Sequence, residues 1–153
     1  TQHAPPGPME KIVSEPLDRP FARAVATRMP EYTRVFVSGA VAPEPDTEAA
    51  VAWEPEEIRD QTRATLDEIE SYVNEFDGGQ EHIVRVRPYL NVPLTDEHYA
   101  AVNEARADFF RSESEYPAST VVEVENLTSE EYLIEIDADA VIPDDDWEVT
   151  VRD

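Results

Sequence analysis

Two stretches of this chain repeat apolar residues at helical spacing, against six that alternate them. Ile58, Thr62, Leu66, Ile69, Val73 and Phe76 recur at steps of three and four, one apolar stripe along a helix. Pro55 suits the first turn of that helix, and Glu56 and Glu57 suit the positive end of its dipole. Gly78 and Gly79 read as its stop. A second helix is expected over "TDEHYAAVNEARADFFR", capped by Thr95 or Asp96. Its buried side reads as Tyr99, Val102, Phe109 and either Ala105 or Arg106.

Strands are expected at "EKIVSE", "FARAVATRM", "TRVFVSGAV", "HIVRVRPYL", "YPASTVVEVENL" and "LIEIDADAVI". Pro30 and Glu31 split the second from the third, which predicts a hairpin. The last two read as half-buried strands joined by a short turn. Pro88 cannot donate a ladder hydrogen bond, so it implies an edge, a bulge or a strand margin. "APEPDTEAAVAWEPE" reads as a loop. The closing "PDDDWEVTVRD" either adds a short strand around Val149 or hangs free. Two helices cannot cover both faces of a six-stranded sheet. The pattern therefore predicts one α+β domain with both helices on one face, and a bare face that favours an oligomer.

Charge narrows the function. The 153 residues carry 35 acidic side chains against 12 basic ones, a formal net charge of −23. Lys11 is the sole lysine. The acids run through helices, strands and loops alike, whereas a disordered acidic tail would gather them in a block. Spread this way they describe a folded surface suited to high salt, a halophilic reading, where carboxylates keep the surface hydrated and self-repulsion is screened. Scattered arginines among acids make no basic patch, which argues against nucleic acid and against anionic membranes. There is no cysteine, hence no thiol chemistry. No apolar run approaches the roughly 20 residues of a membrane-spanning helix. His3, His82 and His98 are too far apart in pattern for a metal site, and neither metal nor cofactor is expected. "TQHAPPGP", residues 1–8, lacks the pattern of a secretory signal and reads as a disordered tail; a cytoplasmic protein is the simplest expectation.

Six segments, in register from Met9 to Ile142, carry a resemblance. "RPFARAV", "VFVSGAV", "QTRATLDEIESYV", "AVNEARADFF", "YPASTVVEVENL" and "LIEIDADAVI" resemble the RidA/YjgF family of imine and enamine deaminases. The resemblance implies a chorismate-mutase-like domain over 9–142, with 143–153 as an extension. It implies three copies packed sheet-inward, with small-molecule clefts between them. Active members hydrolyse reactive imines and enamines, such as 2-aminoacrylate, to keto acids and ammonia. The family also carries the labels endoribonuclease and translation inhibitor, and the charge here argues against the first.

The resemblance also marks site residues. In deaminating members an arginine after Pro-Ala clamps the substrate carboxylate, a task that suits a planar guanidinium. Here the row is Pro117, Ala118, Ser119, Thr120, so Ser119 stands at the clamp position. Phe21 and Ala22 stand where a tyrosine and a serine are frequent. Ser38 and Gly39 in the cleft-lining turn, Asn103 on the second helix and Glu135, the acid that helps handle the attacking water, all remain. Each has a plainer account. Glu135 can be one more carboxylate on a wet face, Ser119 a serine at a strand start, Asn103 a local cap, and Ser38 and Gly39 turn geometry. Arg85 and Arg87 share a strand face and offer positive charge, although pairing with acids across the sheet explains them more simply. Trp53, Tyr72, Phe76, Phe109 and Phe110 read as core. Two functions follow as expectations: a small-molecule cleft with altered imine or enamine hydrolysis, or a non-catalytic, holdase-like protein that keeps the trimer for its surface.

Charge also sets an expectation for assembly. Three such chains in one particle carry three times −23. Like charges repel over about 10 Å at 0.1 M salt but only about 3 Å at 1 M. A trimer is therefore expected in molar KCl, loosening in dilute buffer and partly restored by mild acidification. Light scattering across a salt series checks this; equal stability at 20 mM and 2 M salt would count against a halophilic surface.

Overall fold

The computed structural model describes residues 9–153; the tail expected at 1–8 lies outside them. Seven strand segments form one sheet: β1 (Glu10–Pro16), β2 (Ala22–Arg28), β3 (Tyr32–Ala40), β4 (Ile83–Leu90), β5 (Ala118–Ser119), β6 (Val122–Glu123) and β7 (Ile134–Pro143). Their order is β1-β2-β3-β7-β4-β5, with β6 also on β4. Segments β5 and β6 share one margin, so the sheet has the six positions expected. Both run parallel to β4, and all other pairs are antiparallel, so the sheet is mixed. The hairpin β2–β3 forms as predicted, with Val25 opposite Phe36.

Helices α2 (Pro55–Asn74) and α3 (Asp96–Phe109) pack against each other on one side of this sheet. Ile58, Leu66, Ile69 and Val73 of α2 are fully buried, and below them lie Val35, Val37, Ile134 and Ile136. Alternation explains the strands: Ile134, Ile136 and Ala138 face the helices, while Glu135, Asp137 and Asp139 face away. On that open face an apolar row crosses three strands, Val13 beside Val25 and Val25 beside Phe36, and meets Asp139.

Several expectations are corrected. The last two strands are not a hairpin, because β4 lies between them. The first of the two is also not half-buried: Ala118, Ser119, Val122 and Glu123 are exposed in the single chain. Pro88 explains the break. Val86 and Leu90 accept hydrogen bonds from Thr120 and Val124 at 3.4 and 2.8 Å, so Pro88, between them, turns its bare nitrogen to the same margin. A proline there cannot complete the ladder, which splits into two pairs of residues. Thus Pro88 sits in an interior strand and fragments its neighbour.

The loop before α2 contains a helix, α1 (Thr47–Val51), because the Asp46 carboxylate accepts from the Ala49 N–H at 3.1 Å and caps it. At the far end of α2 the left-handed residue is Asp77, with φ of 67°, and neither glycine has positive φ. Gly78 is needed for another reason: a Cβ there would come within 2.6 Å of Ile142. On α3, Thr95 is the cap; Val102, Ala105 and Phe109 are buried along with His98 and Ala101, whereas Tyr99 is 42% exposed. Trp53 is also exposed, on a backbone of positive φ, and does not join Phe109 and Phe110 in the core. Residues 144–153 form no strand, yet the Trp147 ring lies 5.2 Å from that of His82.

A buried amide ties the helical layer to β7. Gln61 donates to the Glu131 carbonyl at 2.7 Å and to the Glu57 carboxylate at 2.8 Å, and accepts from Leu133 N–H at 2.8 Å. Glu57 in turn accepts from the Asp46 N–H at 2.8 Å. One side chain thus fixes where the chain enters β7.

Thr65, on the same helix, is fully buried with its hydroxyl unpartnered. Replacing an orphaned buried hydroxyl by a methyl of the same shape removes a desolvation cost. Thr65→Val is expected to raise stability by about 1 kcal/mol, read as a higher urea midpoint with unchanged slope.

Candidate functional site

The residues singled out in the sequence gather in two places. The first is the end of β3, where the register shifts between Val37 and Ala40. Such a bulge re-aims side chains beside a sheet. Ser38 donates to the Ala22 carbonyl at 2.6 Å and pins this turn to β2. Phe21, next to Ala22, is 48% exposed. Gly39 lies under the Glu135 carboxylate so closely that a Cβ would come within 2.6 Å of Oε2. Gly39 leaves room for the carboxylate in this position, and a larger residue would push the Glu135 side chain aside; its φ is not positive. A hollow of about 200 Å³ runs past Ser38 and Gly39 to Arg23, Tyr72 and Tyr132.

Glu135 is unlike the other acids of β7. Burial pushes its pKa above the ordinary carboxylate range, and the neighbouring Asp137 charge adds to this. Asp137 and Asp139 are occupied: Arg87 donates to them at 2.7 and 3.1 Å, and the Tyr89 hydroxyl donates to Asp137 at 3.0 Å. Burial first, and then this bond, keeps the Tyr89 phenol protonated to higher pH than usual. The hydrogen bonds that Arg87 donates to both acids likewise raise its pKa. Arg87 is therefore committed to its neighbours, as the plainer account held. Arg85 donates to Thr120 Oγ1 at 3.0 Å.

The second place is the β5 margin beside α3. Ser119 is in register with buried Val86, so its side chain faces the helices. Between Ser119 and Asn103 lies a residue not marked as part of a site. Arg106 donates to Ser119 Oγ at 2.7 Å and to Asn103 Oδ1 at 2.6 Å, and its Cζ lies 6.0 Å from the Tyr99 ring centroid. Arg106 was one of two options for the buried stripe; Ala105 takes that position, and the guanidinium swings about 100° round the helix toward β5. Its spacing from Asn103 (three residues) and Tyr99 (seven) was the available signal.

Within one chain the sheet stands between the two places: Glu135 on its open face, Arg106 and Ser119 on its helical side. His98 Nδ1 lies 2.7 Å from the Pro93 carbonyl, and His82 Nδ1 accepts from the Gly79 N–H at 3.1 Å, so both rings have structural partners.

A mixed sheet with both long helices on one face places the chain in the α+β class. The sequence profile of the family called Endoribonuclease L-PSP matches residues 16–142, and the chain belongs to that family. Solved structures agree. It is similar to a member of the YjgF/YER057c/UK114 family from Mycobacterium tuberculosis, at 25% identity and a TM-score of 0.65, over 87% of this chain and 100% of that one. A YjgF family member from Neisseria meningitidis shares the fold at 22% identity and a TM-score of 0.69, over 90% and 98% of the two chains. A Rid family protein from Yersinia pestis does so at 24% and 0.64, over 86% and 98%. No curated protein matches the chain.

The raised pKa of Glu135 has a signed consequence. The folded state holds this proton more tightly than the unfolded one, so stability falls as pH rises from the ordinary carboxylate value of about 4.3 toward Glu135's own, and stays lower above it. Glu135→Gln is therefore expected to be more stable than the parent at pH 7, with the difference vanishing below about pH 4. Urea titrations at several pH values in molar salt measure it; a variant less stable at neutral pH would reverse the assignment.

Proposed function

We propose that this chain hydrolyses an imine or enamine metabolite in clefts formed between three copies, with Glu135 handling the attacking water. The observation that carries the reading is Glu135 itself: a carboxyl biased toward its neutral form, laid over Gly39 on the face of the sheet that no helix covers. A carboxyl with a raised pKa holds its proton more readily than an ordinary acid, a shift in the direction that general acid–base catalysis uses. A second copy on the open face would bury the Val13, Val25 and Phe36 row and shelter the site from bulk solvent.

Charge supports a small metabolite over RNA, despite the name that the family bears. Acids outnumber bases 35 to 12, and Arg28, Arg59, Arg63 and Arg87 each pair with a carboxylate, so the surface opposes a phosphate backbone. Ser119 at the position of the usual arginine, and Phe21 in place of a tyrosine, support a substrate different from 2-aminoacrylate. The same acidic surface supports a protein that works in high salt. Among the described residues no helix is long and apolar enough to cross a membrane.

The test is ammonia release from a panel of imines made in place by an amino-acid oxidase, in 2 M KCl, with 2-aminoacrylate included. Hydrolysis above the spontaneous rate is expected for bulkier imines, exceeding that for 2-aminoacrylate. Glu135→Gln is expected to lower it by roughly 10²-fold or more. No acceleration for any member, in a sample shown to be trimeric, would reject the hydrolase and leave the non-catalytic role.

A further inference from the structure

We infer that Arg106 is the anchor of an anion site at the β5 margin, and that its ligand carries a carboxylate on an apolar body. The inference rests on the reading above for the reaction and names the class of molecule the chain takes.

The argument begins with what surrounds the guanidinium. In a chain with 35 acids, Arg106 makes no ion pair within 4.0 Å among the described residues. Its partners are an amide oxygen, a serine hydroxyl and the face of Tyr99, all uncharged. They fix its orientation without neutralising it, and leave the other N–H groups of the fork to a further acceptor. Arg87 shows the opposite arrangement, with both its acids in place. A guanidinium held by neutral groups is prepared for an oxyanion, which it binds by parallel charge-assisted hydrogen bonds.

Space and lining choose the ligand. Arg106 and Ser119 form the wall between two hollows. The larger, about 400 Å³, includes Asp96, whose charge repels an anion. The other, about 290 Å³, is lined by Asn103, Ala107, Phe110, Tyr116 and Pro117, with no acid among them. An anionic head on Arg106 would therefore send its body into the second hollow, against Phe110 and Tyr116. That body is apolar or aromatic, and the whole ligand is larger than 2-aminoacrylate. Ser119 then has a definite part: a short hydroxyl that holds the arginine of another element in place.

Phenylacetate is the probe, with phenylacetamide as its uncharged counterpart, titrated by calorimetry into the full chain in 1 M KCl. The parent is expected to bind the acid at least about tenfold more tightly than the amide, the worth of a charge-assisted pair. Arg106→Gln should lose that preference, and Arg106→Lys, which keeps charge but not the fork, should retain part of it. Circular dichroism confirms that both variants fold; the side chain is only half-buried. If the parent fails to prefer the acid, or Arg106→Gln keeps the preference, the inference is overturned. The two readings separate cleanly. Arg106-dependent binding without imine hydrolysis leaves the anion site standing and removes the hydrolase. Hydrolysis unaltered in Arg106→Gln, in KM as well as kcat, does the reverse.

Discussion

Only one face of this sheet has helices to cover it, and the rest of the molecule follows from that. Strands β2, β3, β4 and β7 each offer apolar residues to the helical layer on one side and something else on the other. The helical side is filled with Ile, Leu, Val and Ala at close packing. The other side is where charge and polarity can be placed without disturbing the core. Glu135, Asp137 and Asp139 occupy it, and only the first is left without a cation. The acid with chemical potential is therefore the one its neighbours decline to neutralise.

Arginine is treated in the same selective way. On α2, Arg59 and Arg63 reach acids of their own helix and of α3 (Glu104 and Asp108). These exposed pairs contribute little individually, and less in high salt. Arg106 instead rests on neutral groups. Asn103, Ser119 and Tyr99 hold it in place without neutralising it.

Much of the fold was legible because it obeys local periodicity. The alternation in β2, β3 and β7 and the stripe from Ile58 to Val73 need no knowledge of the rest of the chain. What could not be read was pairing between distant segments. The period-two pattern after Pro117 says nothing about β4 lying between it and β7, nor about Pro88 confronting it. Asp77 takes the left-handed turn that the following glycines seemed to claim, since a short polar side chain tolerates it too. The resemblance named six candidate residues, but not their division across the sheet. Arg106 escaped because one residue of helical phase separates a core position from a flank, and the pattern alone left Ala105 and Arg106 as alternatives.

Pro88 has a further consequence, for how copies of this chain meet. A bare strand at the margin of a sheet is a template on which another chain can add itself, backbone to backbone. Here one margin is chopped into two short pieces by a residue that lacks a donor. The opposite margin, β1, ends at Glu15, held in a left-handed conformation, and then at Pro16. The β1 side keeps a regular run only from Glu10 to Ser14 before that turn. Strand-on-strand growth is interrupted where Pro88 divides one margin and cut short where Glu15 turns away at the other.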